Sequence, residues 1–393
     1  MFGLLVFLVG VMCSIAIHEL GHLWAAKRAG ARVSEFMVGF GPRLLSFKKG
    51  HTSYGLKLLP FGGYVRILGM HAPGKGFDRP ESESEAAVPG TDFYRLSVTR
   101  RTAILLAGVT MNFLFAALLL LVVLVGFGLP RASNTVSVVS SCVSATTCTD
   151  LDPVSPARSA GLLPGDQVVS IDDRPVGEWG DLTAVLAERR PGDVVELAIV
   201  SGEGERVVDV ELTEHPLFPG RGFLGVSPEV VFVSESPTRV VPLLGEQSRM
   251  VAGTLAGFPA RVYSAFTSTL TGTERDPAGA VSIVGAGRLG AELGSGEEPL
   301  RARLGQLLVL LAGLNVSLAV FNLIPLVPLD GGHVAVTWFE GIRSRLARLR
   351  GRPDPGHIDH RRLLPLTQLV VAFVILSSLA LIFADIANPI SLP

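Results

Sequence analysis

A chain of 393 residues that is 48% apolar, with a mean hydropathy of +0.46, is too apolar for an ordinary soluble protein and long enough for two or three domains. Its formal net charge of −1 carries no basic excess, which argues against a nucleic-acid partner. Three cysteines are too few for a cysteine-rich metal cluster. The composition is that of a membrane protein.

Four segments are long and apolar enough to span a bilayer: 2–26, 103–128, about 304–324 and 363–384. Residues 2–17 (FGLLVFLVGVMCSIAI) could be taken for the core of a signal peptide. No Lys or Arg precedes Lys27, however, and cleavage there would orphan two histidines, so a retained helix is predicted. The connection after it carries Lys27, Arg28, Arg32, Arg43, Lys48, Lys49, Arg100 and Arg101, and 340–362 carries a second group of arginines from Arg343 to Arg362. The charge rule for loops places both connections in the cytoplasm, and both termini and 129–303 on the extracytoplasmic side. The first and third spans then run parallel. His22, five residues before Lys27, falls about 7–8 Å inside the cytoplasmic face at ~1.5 Å per residue.

The predicted fold class is a polytopic α-helical membrane protein of four transmembrane helices with a membrane-associated β-hairpin or small sheet and an inserted α/β domain that, in the segments from Ser155 to Leu212, resembles a PDZ domain. The predicted organisation is a first span over 1–29, a cytoplasmic-side β-region and loop over 30–102, and a second span over 103–129. The α/β domain follows over 130–228, then an amphipathic region over 229–303, a third span with its polar end over 304–332, a basic loop over 333–362, and the last span and tail over 363–393.

Residues 33–68 alternate and are punctuated by glycine, with a turn at Lys48-Lys49-Gly50-His51, which reads as a hairpin or small sheet dipping into the membrane interface. An exposed edge there could pair with an unwound substrate strand; a plain cytoplasmic hairpin is the alternative. Residues 72–92, with Glu81, Glu83 and Glu85 among prolines and glycines, read as a flexible loop. The run Ser155 to Asp166, followed by QVVSIDDRPV, a helix near 179–189, VVELAIV and RVVDVEL, resembles a PDZ domain of the bacterial protease-associated type. Such domains capture extended peptides at a sheet edge; a size-exclusion cap is the alternative. Cys142 and Cys148 form one disulfide if their segment is extracytoplasmic, or remain two free thiols. Val251, Leu255, Phe258, Val262 and Phe266 recur at helical spacing, predicting an amphipathic helix within 238–272, on the membrane surface or under the soluble domain. Asp276 to Val281 reads as a loop entering another short apolar helix.

The chemistry lies in His18-Glu19-Leu20-Gly21-His22. Positions i and i+4 share a helix face, so His18 and His22 can offer two imidazoles to one ion, with Glu19 placed to take a proton from the water that zinc activates. Three ionisable groups in an apolar span are costly without an ion, about 2.5–3.5 kcal/mol for a central charge on insertion scales. A third ligand is offered by Asp330 in Asn322-Leu323-Ile324-Pro325-Leu326-Val327-Pro328-Leu329-Asp330-Gly331-Gly332-His333, where the prolines end the third span and the glycines permit a tight turn. His333 is read as a cap or hydrogen-bonding residue, His51, His71, His357 and His360 as solvated, and Cys13 as packing.

Together with the glycine-rich GFGP and PFGGYVRILGM segments and the inserted domain, these motifs closely resemble the site-2 protease family, in its bacterial RseP-like branch, over essentially the full length. The resemblance implies a zinc intramembrane endopeptidase of the bacterial inner membrane, with Zn2+ held by His18, His22 and Asp330 and Glu19 as general base. It implies a substrate-backbone role for Asn322 and substrate presentation by the 33–68 sheet, whose glycines include Gly39, Gly41, Gly62 and Gly63. Asn112 matches the family's second-span asparagine, although Val109 stands where a proline is usual, and one PDZ domain stands where many relatives carry two. The implied partners are the lipid bilayer, single-pass membrane substrates such as anti-sigma factors or remnant signal peptides, and peptide termini or extended segments at the PDZ domain. The competing classes are a noncatalytic PDZ-bearing scaffold and a metal-ion transporter. Loss of Glu19 or a ligand would favour the first, and inverted repeats the second; neither feature is present in the sequence.

Overall fold

The computed structural model describes residues 2–70, 89–144, 148–149, 152–202, 204–216, 218–273, 275, 279–295, 300–358 and 363–389. Most of the stretch read as a loop at 72–92, together with His71, His360 and Asp276 to Ala278, lies outside them. The chain divides into two compact units, Met1–Phe127 with Ser236–Pro393, and Gly128–Glu235.

The first unit is built on α1 (Phe2–Arg28), α2 (Val98–Val122), α8 (Leu300–Asn322) and α10 (Leu364–Ala387). All four are long and apolar enough to cross a membrane. Their apolar residues surround the helix rather than forming one stripe, as expected for helices solvated by lipid as well as by protein. Ser97 caps α2 by accepting from the Arg100 amide, and a π-helical turn over Val123–Phe127 extends it. α1 packs on α2 and α2 on α8, around Phe7, Val11, Leu119, Leu120, Leu311 and Ala312. Cys13 is exposed, not packed, because it lies on the α1 face away from that cluster.

Between α1 and α2 run β1 (Val33–Lys49) and β2 (Thr52–Ile67). They form more than a hairpin. Residues 33–38 pair antiparallel with both 53–56 and 63–67, while 43–49 pair with 52–57. Each strand is therefore bent, and the two make a sheet four segments wide. The bends fall at glycines: Gly39 and Gly62 have φ of +88°, a conformation with little cost for glycine alone.

Two expectations change in the C-terminal half of this unit. The periodic stretch 238–272 is not one helix but two, α5 (Val240–Ala256) and α6 (Phe258–Thr271), broken at Gly257. Phe258 and Val262 pack with Ala265, Leu381 and Ala384, so this apolar face is covered by α10. Likewise 333–362 is not a loop throughout, because α9 (Asp330–Leu349) occupies its first half. The glycines after Asp330 serve close packing inside that helix rather than a tight turn. A Cβ at Gly331 would stand 2.4 Å from the Leu323 carbonyl oxygen, and one at Gly332 2.3 Å from the Val327 nitrogen.

The helix α7 (Ile283–Ser295) packs against α1. A buried ion pair ties the segment before it to α10: Arg275 Nη1 donates to Asp385 Oδ1 at 2.7 Å, and the Ser282 amide donates to Asp385 Oδ2 at 2.6 Å.

The second unit contains β3 (Leu129–Val139), α3 (Pro156–Ser159), β4 (Gln167–Ile171), β5 (Arg174–Pro175), α4 (Trp179–Ala187), β6 (Val194–Ser201), β7 (Gly204–Glu211), β8 (Thr213–Glu214), β9 (Gly222–Phe223) and β10 (Val226–Val233). Its main sheet has the order β10-β3-β4-β6-β7, with β5 paired to β4. Inward-facing strand residues Val168, Ile171, Leu197 and Ile199 meet Leu182 of α4 and Leu212 in the core of this unit. The sheet runs past residue 228 to Val233, because β10 pairs with the opening strand from Val226↔Val139 to Val233↔Leu129. Asp166 closes the Leu163–Asp166 turn by accepting from the Leu163 amide at 3.0 Å. Cys142 and Cys148 are joined by a disulfide.

Candidate metal centre

One turn of α1 separates His18 from His22, and the helical period aims both imidazoles at α2. His22 Nδ1 donates to the Ile104 carbonyl at 2.8 Å, which puts the proton on Nδ1 and leaves the Nε2 lone pair free. Gly108 makes room for the pair: a Cβ there would stand 2.3 Å from His22 Nε2 and 2.8 Å from His18 Cε1. Gly21 does the same between the helix backbones, where a Cβ would meet the Ala107 carbonyl oxygen at 2.6 Å.

Asp330 opens α9 as its first residue, a favourable place for a carboxylate at the positive end of the helix dipole. Its Oδ2 lies 3.4 Å from His18 Nε2 and 3.3 Å from His22 Nε2, and the two Nε2 atoms are 3.2 Å apart. Burial works to raise the Asp330 carboxyl, but the His18 and His22 side chains outweigh it and hold it well below the usual carboxylate range. Oδ2 is nevertheless buried without a hydrogen-bond partner, as is His18 Nδ1.

These three atoms suit a small divalent cation. Zinc bonds to nitrogen and oxygen of about 2.0–2.2 Å imply tetrahedral ligand-to-ligand edges of roughly 3.3–3.6 Å, close to the separations found here. Two imidazoles and a carboxylate are also the kind of ligand set that leaves a fourth position open in catalytic zinc sites. Among the described residues this is the one group of three or more His, Cys, Asp or Glu side chains able to share an ion.

Glu19 is beside this centre, against β2. The Val65 backbone donates to its carboxylate, and a Cβ at Gly63 would lie 3.0 Å from Glu19 Cγ. The general-base candidate and the sheet therefore meet directly. Gly39, Gly41 and Gly62 lie within the sheet, where a Cβ at 39 would meet the Leu59 carbonyl and one at 62 the Phe40 ring. Asn322 ends α8, half-buried. Asn112 is buried on α2, one turn beyond Gly108, with neither amide atom partnered.

His333 lines a small pocket with Met70, Phe93 and Tyr94 and is outside the metal group. His357 is not simply solvated. It contacts Glu340 at 3.2 Å and meets the Tyr94 ring edge-on, because the chain after α9 folds back onto that helix.

Several contributors were not singled out from the sequence. The Ile104 carbonyl and Gly108 sit in featureless apolar sequence, although a glycine in a span that must face two histidines is a usable signal. Asn315 donates to Ser14 Oγ at 2.8 Å, tying α8 to α1 one turn before His18. Arg101 Nη1 donates to Glu340 Oε2 at 2.7 Å, tying α2 to α9.

The family model for peptidase family M50 matches residues 6–353. The chain is 32% identical over 417 aligned residues to the zinc metalloprotease Rip1 of Mycobacterium tuberculosis, covering 99% of this chain and 98% of that protein. It is 30% identical to the chloroplastic membrane metalloprotease ARASP of Arabidopsis thaliana, covering 84% of this chain and 69% of that protein. Among solved structures, the PDZ domain of an SdrC-like protein from Listeria monocytogenes aligns with 24% of this chain and 93% of its own, at 21% identity and a TM-score of 0.18.

Proposed function

The chain belongs to peptidase family M50, the site-2 proteases, and is a zinc-dependent membrane metalloprotease; from that premise we propose that it hydrolyses a peptide bond in or beside the transmembrane segment of single-pass membrane proteins. Anti-sigma factors and remnant signal peptides are the proposed substrate classes. The observation that carries this reading is the convergence of His18 Nε2, His22 Nε2 and Asp330 Oδ2 within 3.2–3.4 Å of one another beside Glu19.

His18, His22 and Asp330 would hold the ion, which when bound supplies Lewis acidity towards a carbonyl oxygen and makes water acidic enough to ionise near neutral pH. Glu19 takes the proton of the attacking water and returns it to the departing amine. The Val65 bond and the Gly63 contact hold that carboxylate against the sheet. A substrate helix protects its own amides, so it must unwind to be cut. The 62–67 segment, beside Glu19, is the proposed template for the extended form, with Asn322 and Asn112 as amide partners for its backbone.

The proposed orientation places Lys27, Arg28, Arg100 and Arg101 in the cytoplasm and the termini and PDZ-like domain outside, in the bacterial inner membrane. The site supports the parallel course of α1 and α8 that this orientation requires. His22 near the end of α1 and Asp330 after the end of α8 can meet only if those ends share one face of the membrane. For the PDZ-like domain we propose capture of an extended segment or peptide terminus at β10, one of the two outer strands of its sheet. A cavity of about 250 Å³ lined by Trp179, Leu186, His215, Phe218, Phe223 and Val226 adjoins that strand.

A paired measurement tests the catalytic reading: zinc content and cleavage of a single-pass model substrate, for the wild type and Glu19→Gln. The variant should keep its zinc and lose about 10²–10⁴-fold in rate. Equal cleavage by both proteins would remove Glu19 from the mechanism.

A further inference from the structure

The helix that begins at Asp330 carries a second feature along its length. At about 100° per residue, Trp338, Phe339, Ile342, Leu346 and Leu349 fall within roughly 100° of arc, and all five are exposed. The opposite face is the one that docks. Thr337 and Glu340 are buried, Glu340 pairs with Arg101, and Gly341 lies against Val98 of α2. Arg345 lies on one edge of the apolar stripe, and Arg343 and Arg350 lie on the other. No acidic residue occurs between Glu340 and Asp354, whereas Arg343, Arg345, Arg348, Arg350 and Arg352 do.

A soluble surface with such a stripe would be an aggregation hazard. α9 is not among the helices able to cross a membrane, and its arginine-rich second half forbids it. Yet the stripe belongs to a segment that leaves one apolar helix at Asn322 and enters another at Leu364, so both its ends are held at the same face of the bilayer. An apolar stripe edged by arginines, kept at that depth, is the pattern of an in-plane interfacial helix.

We propose that α9 lies in the membrane interface, its stripe inserted among acyl chains and its arginines holding the headgroups of acidic phospholipids. The occupant is the anionic bilayer leaflet rather than another protein, because the flanking charge is of one sign and complements a phosphate-rich surface. The consequence reaches the metal centre, since the helix held by that leaflet is the one whose first residue is Asp330.

The test uses the full chain with Trp338 as its single tryptophan, made by Trp24→Phe and Trp179→Phe, reconstituted in bilayers. The probes are brominated phosphatidylglycerol and brominated phosphatidylcholine at equal bromine content. Trp338 fluorescence should be quenched by both, and at least about twofold more strongly by the acidic lipid, given the attraction expected for each arginine near an anionic surface. Combined Arg345→Gln and Arg350→Gln substitutions, one on each edge of the stripe, should keep the quenching and weaken the preference; an undiminished preference would overturn the role given to these arginines. No quenching by either lipid would show that water or protein covers the stripe, and overturn the proposal. Equal quenching before any arginine is changed would overturn the acidic-lipid assignment. Neither result depends on a variant of α9 folding correctly.

Discussion

Gly108→Ala is the smallest change that should disable this site. The added methyl would stand 2.3 Å from His22 Nε2 and 2.8 Å from His18 Cε1. To bring the nearer contact to 3.0 Å, a limit that real Cβ atoms essentially never cross, something must move by 3.0 − 2.3 = 0.7 Å. The helix backbones cannot absorb this readily, because Gly21 already lies against the Ala107 carbonyl one residue away. The imidazoles must therefore yield, and metal bonds tolerate only about ±0.2 Å. Weaker changes around metal ligands typically cost about 10–100-fold in affinity, so at least that loss is expected here. The fold should persist, since alanine is the better helix former by about 1 kcal/mol. Zinc retained after dialysis against a graded chelator series measures the affinity, with Gly313→Ala as control because a Cβ there meets nothing within 4 Å. Wild-type zinc retention and cleavage by Gly108→Ala would refute the proposition that this glycine is the seat of the two imidazoles.

Asp330→Ala should lose zinc outright while Glu19→Gln keeps it, so metal analysis alone separates the ligand from the base. Ser14→Ala leaves the Asn315 amide with one acceptor fewer and should lower stability by about 0.6–1.7 kcal/mol, the range for interhelical hydrogen bonds in lipid, read as a lower unfolding midpoint in detergent with zinc content unchanged. Burial works to raise the Glu340 carboxyl, but the Ile358 amide, Arg101 and His357 outweigh it and hold it below its ordinary value. Its ionised form therefore stabilises the fold above the unfolded value of about 4.3, and that contribution disappears as pH falls through the lower, folded value. In a pH series of thermal unfolding, the wild type should lose stability on acidification through this window. Glu340→Gln should be flat there but weaker at neutral pH by about 3–5 kcal/mol, because Arg101 is left buried and unpaired; a variant as stable as the wild type at neutral pH would show that the pair does not hold α9.

The proposed ligands and the proposed base were legible because each breaks a local rule. His18, Glu19 and His22 are out of place in an apolar span, and Asp330 follows prolines that end another. The frame around them was not legible, because its residues break none. Gly108 reads as one small residue in an apolar helix, and the Ile104 carbonyl belongs to a backbone that any sequence supplies. The two glycines after Asp330 suit a tight turn as well as a helix pressed against the preceding loop. Only the contacts with Leu323 and Val327 decide for the helix. Similarly, the stripe from Val251 to Phe266 keeps its period across the break at Gly257, so periodicity predicts one helix where packing against α10 requires two.

The position of Asp330 is the least protected part of the centre, since it alone of the three proposed ligands is not on a helix long and apolar enough to cross a membrane. Three constraints compensate. At its start, α9 is fixed by the Gly331 and Gly332 contacts, which leave no room to slide. Ten residues further on, about 15 Å along the axis at ~1.5 Å per residue, the Arg101–Glu340 pair fixes it to α2. Two points on a rigid helix determine its axis but leave rotation about it to the side faces. Val98 against Gly341 and the Trp338 bond to Thr102, 3.0 Å long, resist rotation on the α2 side. The same helix α2 also seats His18 and His22 through Gly108, so it references all three ligands. A change that tilts α2 moves the imidazoles and the carboxylate together. A change confined to the Arg101–Glu340 pair moves only the carboxylate, and should therefore weaken zinc binding more than its distance from the ion suggests.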